Sequence, residues 1–234
     1  MDDPHLTGHP VPRVNTDGHL ERGMRRRLVD VLRQKGICAA DVLDAIGRVP
    51  RHRFIDDSAF LRMAYEDVPF PIGHGQTISQ PYTVARQTEL LRPAHGLKVL
   101  EIGSGCGYQT AVLCELGLKV HSIERVRPLH VQTKTRLSAM GYRPHLVYGD
   151  GFKGLPSYAP FDRILVTCGA PEVPAQLVAQ LKPGGTMVVP VGAGEVQTML
   201  VVEKGADGIV SRSEHGRFRF VPMLESRTEG DGPI

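Results

Sequence analysis

Residues 99–111, VLEIGSGCGYQTA, set three glycines, Gly103, Gly105 and Gly107, between an apolar run and a run with helical character. Glycine at these places lets a strand-to-helix turn tighten and lets a ligand approach the backbone where a Cβ would stand. Either a nucleotide-type pocket or a bare βα turn satisfies that pattern. Glu124 ends the next apolar run, VHSIE, where a carboxylate can accept from both hydroxyls of a ribose or simply be solvated at a strand end. A dinucleotide fingerprint needs a further glycine at position 108, which is Tyr108, and no Gly-Lys-Ser/Thr follows the glycines, so neither a pyrophosphate loop nor a P-loop is indicated.

Outward from this stretch, LKVLEI, KVHSIE, PHLVYG, FDRILVT and TMVVPV read as strands, separated by the helical runs GYQTAVLCEL, VRPLHVQTKTRLSAM and VPAQLVAQL. Such alternation predicts an α/β fold with a doubly wound, mostly parallel sheet. Two alternating runs around Gly205-Ala206-Asp207-Gly208 predict an antiparallel hairpin at its C-terminal end. Upstream, Met24, Leu28, Val31 and Leu32 fall on one face of a helix ending near Gly36, and AADVLDAIGRV predicts a second, so a small helical cap precedes the sheet. Residues 1–18 have little to bury and are expected to form a loose arm. One domain over 19–223 is expected, with helical cap and substrate loop at 19–92, cofactor-binding sheet at 93–223 and a tail at 224–234.

The 234 residues carry a formal charge of +3, which lacks the excess expected of a nucleic-acid binder, and the Arg25-Arg26-Arg27 cluster reads as a solvated helix face. No run approaches a membrane span, and no signal core opens the chain. The four cysteines and ten histidines show no metal-ligand spacing. These features predict a cytoplasmic protein, with reduced thiols, no metal, and neither membrane nor nucleic acid as partner; a monomer is expected.

Residues 73–82, GHGQTISQPY, have no apolar periodicity. Ser79 before Gln80-Pro81 is a helix-start signal, with Ser79 as the N-cap. Backbone N–H groups at that helix end would offer a carboxylate a site. No Asp, Glu or Lys occurs between Gly73 and Gln87, which suits an acceptor that arrives already ionised.

The form E-x-G-x-G-x-G with LKPGG at 181–185 resembles class I S-adenosylmethionine-dependent methyltransferases. In that family a second acid faces the adenine, and Asp150 in YGDG is the matching candidate, although Asp-Gly also builds turns. The stretches AYEDVPFPIGHGQTISQPYTVARQTELL (64–91), VPRHRFI (49–55), VHSIERV (120–126), the run from Gly149 to Gly192 and RFVPM (219–223) are similar to the protein-L-isoaspartate O-methyltransferase family. The resemblance implies methyl transfer from S-adenosyl-L-methionine to the free α-carboxylate of isoaspartyl residues in damaged proteins and peptides, the step that starts repair through a succinimide. It implies Ser79 at the substrate carboxylate. It assigns the cofactor to Gln76, Thr77, Ile78, Glu101, Gly103, Ser104, Gly105, Glu124, Asp150 and Gly151. A methyltransferase acting on a small molecule or RNA, and a scaffold that has lost turnover, are the alternatives. The tail after Met223 follows the family pattern poorly, so no contact is assigned there.

Overall fold

A computed structural model describes residues 18–230. The expected N-terminal arm, apart from Gly18, and the last four residues lie outside them. Helix α1 (His19–Gln34) buries Leu28 and Leu32 and stops at Gly36, whose φ of 93° only glycine adopts readily. Its inner stripe also takes in Arg25, so the expected solvated arginine face is restricted to Arg26 and Arg27, while Val31 turns outward. Helix α2 (Ala40–Arg48) and two 3₁₀ turns, Arg51–Phe54 and Ser58–Met63, complete the cap.

The segment read as a loop is the tip of a short antiparallel ribbon. Strands β1 (Phe70–Pro71) and β2 (Thr77–Ile78) pair Phe70 with Ile78, and Gly73-His74-Gly75, all at positive φ, make the reversal. Two-residue strands are too short to leave an alternating pattern in the sequence. Helix α3 (Pro81–Leu91) follows at once.

The main sheet has β3 (Lys98–Ile102), β4 (Lys119–Glu124), β5 (His145–Tyr148), β6 (Phe161–Val166), β7 (Leu181–Val191), β8 (Gln197–Lys204) and β9 (Val210–Phe218), in the order β5-β4-β3-β6-β7-β8-β9. The first five in that order are parallel and β8 and β9 antiparallel, as expected. Strand β7 starts at Leu181 rather than Thr186: Phe161 pairs with Leu181 and Arg163 with Thr186, so Lys-Pro-Gly-Gly is a bulge within the strand. Helices α4 (Tyr108–Glu115), α5 (Arg127–Ala139) and α6 (Ala175–Gln180) make the crossovers. Leu100, Ile164, Met187 and Val202 pack on one face with Leu177 of α6; Val99, Leu165, Val188 and Val201 pack on the other with Leu91 and Leu113. Burial on both faces explains the near-continuous apolar strands.

Candidate active site

The chain leaves β3 for β4 on one side and returns through β6 to β7 on the other, so the crevice at the carboxyl ends of β3 and β6 is the topological switch point, where open α/β sheets hold ligands. Gly103 and Thr167 face each other there. A Cβ on Gly103 would meet Thr167 Oγ1 at 2.6 Å, and its φ is 95°. Gly107, at φ 90°, is the N-cap of α4; a Cβ there would press on Thr133 and Leu137 of α5. Helix α5 grips the loop from behind, with Thr133 Oγ1 donating to Gly105 O at 2.6 Å and Arg136 Nη1 to Cys106 O at 3.1 Å.

Glu124 accepts from the Gly105 amide at 2.8 Å and the Val126 amide at 2.9 Å, one on each oxygen. It thereby fixes the glycine loop and keeps spare acceptor capacity on both oxygens. Burial raises its pKa, opposed by those amides. Glu101 does not reach the cleft. It is 0% exposed and accepts from Thr110 and Ser122, both at 2.6 Å, and Ser122 Oγ lies 2.6 Å from Ser104 Oγ. Since Ser122 donates to Glu101, Ser104 donates to Ser122 and keeps its lone pairs for the cleft that it lines.

The start of α3 corrects the capping expectation. Pro81 is the first helical residue and Gln80 the N-cap, with no side-chain cap bond of its own. The carboxylate at this helix end is internal: Asp67 Oδ1 accepts from the Tyr82 amide at 2.7 Å, and Asp67 Oδ2 takes Gln80 Nε2 at 3.1 Å and Lys35 Nζ at 2.6 Å. The positive helix end is therefore not an open anion site, and Ser79, one residue outside the cap, is released from it.

Gln76, Thr77, Ile78 and Ser79 line one side of a cleft with about 860 Å³ of free space, counting its open mouth; Gly103, Ser104, Gly105, Glu124 and Gly151 line the other. Asp150 does not line it. Its two oxygens accept from the Phe152 amide at 2.9 Å and the Ser226 amide at 3.1 Å, in a neighbouring surface hollow, so the turn-forming alternative describes its observed contacts. Further wall residues were not singled out from the sequence: Gln87, Gln109, Thr167 and Cys168, and Met223 and Leu224 from the tail end. The tail is held by Thr228, which pairs with Val126, and by Arg125 Nε donating to Ser226 O.

The cleft fits an adenosyl amino acid. It has bare backbone at the glycine turn, a carboxylate with spare lone pairs, apolar Ile102 and Ile123, and the buried acceptor Gln109 Oε1, which has no partner. Its thiols and phenol are held protonated at neutral pH, burial lifting Cys106 to about 11, Cys168 to about 12 and the Tyr108 hydroxyl to about 12, and its carboxylate, Glu124, is tied to two loop amides. Among the described residues no three His, Cys, Asp or Glu side chains group to hold a metal ion. A second cavity shares Thr77, Ser79, Thr167 and Val221 with the first and runs along the end of edge strand β9, past Arg217, Phe218 and Arg219.

Residues 23–228 match the family described as Protein-L-isoaspartate(D-aspartate) O-methyltransferase. A relative from Christiangramia forsetii named protein-L-isoaspartate O-methyltransferase is 55% identical over 212 residues, which is 90% of this chain and 99% of that one. A protein of the same name from Pseudomonas aeruginosa is 48% identical over 212 residues, 90% of this chain and 97% of its own. A solved protein-L-isoaspartate O-methyltransferase structure aligns with a TM-score of 0.77 at 31% identity over 85% of this chain; this chain spans 65% of that one. A Plasmodium falciparum structure in complex with S-adenosyl-L-homocysteine, 22% identical, shares the fold with a TM-score of 0.73 over 86% of this chain and 98% of that one.

Proposed function

The chain belongs to the protein-L-isoaspartate(D-aspartate) O-methyltransferase family, and from that premise we propose that Ser79 holds an isoaspartyl α-carboxylate in line with the methyl group of S-adenosyl-L-methionine. The activity is methyl esterification of that carboxylate. The observation carrying this assignment is that the Ser79 hairpin and the glycine loop wall one cleft whose wall thiols and phenol are held protonated.

The cofactor supplies a methyl group made electrophilic by its sulfonium. Gly103 and Gly105 give its chain room, Ser104 and Gln109 offer acceptors to its ammonium group, and Glu124 takes its ribose hydroxyls. Ser79 donates its hydroxyl to one carboxylate oxygen, leaving the other free to attack. No proton has to leave the acceptor, so the protein's work is alignment and exclusion of water. The methyl ester carries a better leaving group than the carboxylate does. Attack by the following amide nitrogen expels methanol and closes a succinimide, and water opens that ring in part to normal aspartate.

The second cavity is our proposed path for the acceptor chain, since it meets the first at Ser79 and Thr77 and follows a sheet edge, where an extended segment can be held through its backbone. Labelled S-adenosyl-L-methionine with two peptides differing only in an aspartyl or isoaspartyl link tests the function. Label is expected in the isoaspartyl peptide alone; equal labelling, or none, would refute the assignment.

A further inference from the structure

Arg51 of the V-P-R-H-R-F-I segment is 0% exposed. One nitrogen, Nη2, donates to Val68 O at 2.9 Å; Nε and Nη1 have no hydrogen-bond partner. Its guanidinium lies 5.7 Å from the ring centroid of Phe70 and 5.2 Å from that of Tyr108. A buried cation without a carboxylate partner is costly, and an apolar side chain of similar length would fill the same space with no charge to desolvate. The contacts show what the arginine does there. Val68 and Phe70 lead into β1, where Phe70 pairs with Ile78, the neighbour of Ser79. Tyr108 follows the three glycines directly, begins α4 and lines the cleft. One planar cation thus touches the root of the hairpin and the end of the glycine loop.

We propose that Arg51 is a positioning residue that sets the spacing between these two walls, and so the alignment of acceptor carboxylate with methyl group. The inference rests on the assignment of the hairpin to the acceptor and of the glycine loop to the cofactor. Alignment is sensitive: a shift of ~1 Å can slow an in-line reaction ~100-fold. A lysine keeps the charge but not the planar fork that can stack between two rings while donating to a carbonyl.

The test compares wild type, Arg51→Lys, Arg51→Met and, as a control for lost stability in the same core, Leu32→Ala. Three quantities are measured: affinity for S-adenosyl-L-homocysteine by calorimetry, kcat and KM for an isoaspartyl peptide, and amide exchange at Ile72 and Gln76, whose N–H groups close the hairpin. For Arg51→Lys, homocysteine-product affinity should stay within ~3-fold and kcat should fall ~10-fold or more. Exchange at Ile72 and Gln76 should accelerate while that of β3 and β6 is unchanged; Arg51→Met should show the same with larger size. Leu32→Ala should lose stability with neither effect. Unchanged kcat and hairpin exchange, or affinity falling in step with turnover, would overturn the proposal. Should both Arg51 variants fail to fold, Phe70→Leu, which withdraws one ring, carries the same expectations. The exchange measurement needs no turnover, so a wild type inactive on the peptide would refute the functional assignment and still leave the clamp decided.

Discussion

Asp67 Oδ1 accepts the backbone amide of Tyr82 at 2.7 Å, across 15 positions of sequence. A carboxylate brought from outside the helix caps α3, and the nearby Ser79 is not engaged as its cap. Replacing Asp67 by Ala should therefore cost ~1–2 kcal/mol of stability, the usual worth of a good cap. Lys35→Ala, which removes a half-exposed partner of the same carboxylate, should cost under ~1 kcal/mol. Urea denaturation of the two variants checks the difference, and equal losses would show that the ion pair rather than the cap stabilises this corner.

Glu101 gives the stability a pH dependence with a definite sign. Burial lifts its pKa from 4.5 to about 7, against the hydrogen bonds from Ser122 and Thr110. The folded state therefore binds a proton that the unfolded state has released, and this contribution is complete below pH 4.5 and lost as pH rises to about 7. Over that window the loss amounts to about 3 kcal/mol, at ~1.4 kcal/mol per pH unit. Glu101→Gln should flatten this part of the stability profile, measured as urea midpoints between pH 4.5 and 8. A wild-type slope kept by the variant would place the titration elsewhere.

The legible parts of the molecule were those whose cause is local. Gly103, Gly105 and Gly107 announce a turn because each φ is set by the residue itself, and Glu124 was placed by strand spacing. The resemblance implies Glu101 at the cofactor, but a motif does not tell what stands between a strand residue and the cleft, and Glu101 lies two hydroxyls away from it. Partners far along the chain left no pattern: Asp67 for the α3 cap, Ser226 for Asp150, the tail residue Leu224 for the cleft. Arg25 misled for a related reason. Charge predicts exposure, whereas its position on α1, three and seven residues before Leu28 and Leu32, turns it inward.

Ser79 and Glu124 both line the cleft, and on the proposed assignment their variants should fail differently. Ser79→Ala removes one hydrogen bond to a charged group, worth ~1.5–3 kcal/mol, so kcat/KM for the peptide should fall ~10- to 100-fold with cofactor affinity little changed. Glu124→Ala removes the partner of two loop amides as well as the ribose acceptors, so cofactor affinity should fall first and turnover at saturating cofactor should largely recover. Binding isotherms beside saturation kinetics separate the two; parallel losses in both variants would contradict this division.

Arg217 and Arg219, both exposed, line the second cavity with no acidic residue among its other walls. An acceptor chain leaving Ser79 along β9 would pass these two charges, so its flanking residues should matter even though the chemistry concerns only the carboxylate. Isoaspartyl peptides flanked by Glu should show a KM ~5- to 10-fold below that of Lys-flanked ones at low salt, with kcat little changed. The gap should shrink sharply towards 1 M salt, where screening acts within ~3 Å. The double variant Arg217→Glu, Arg219→Glu should reverse the order of the two peptides. Because both side chains are at the surface, the reversal should come without loss of fold, and its absence would send the acceptor chain out of the cleft by another route.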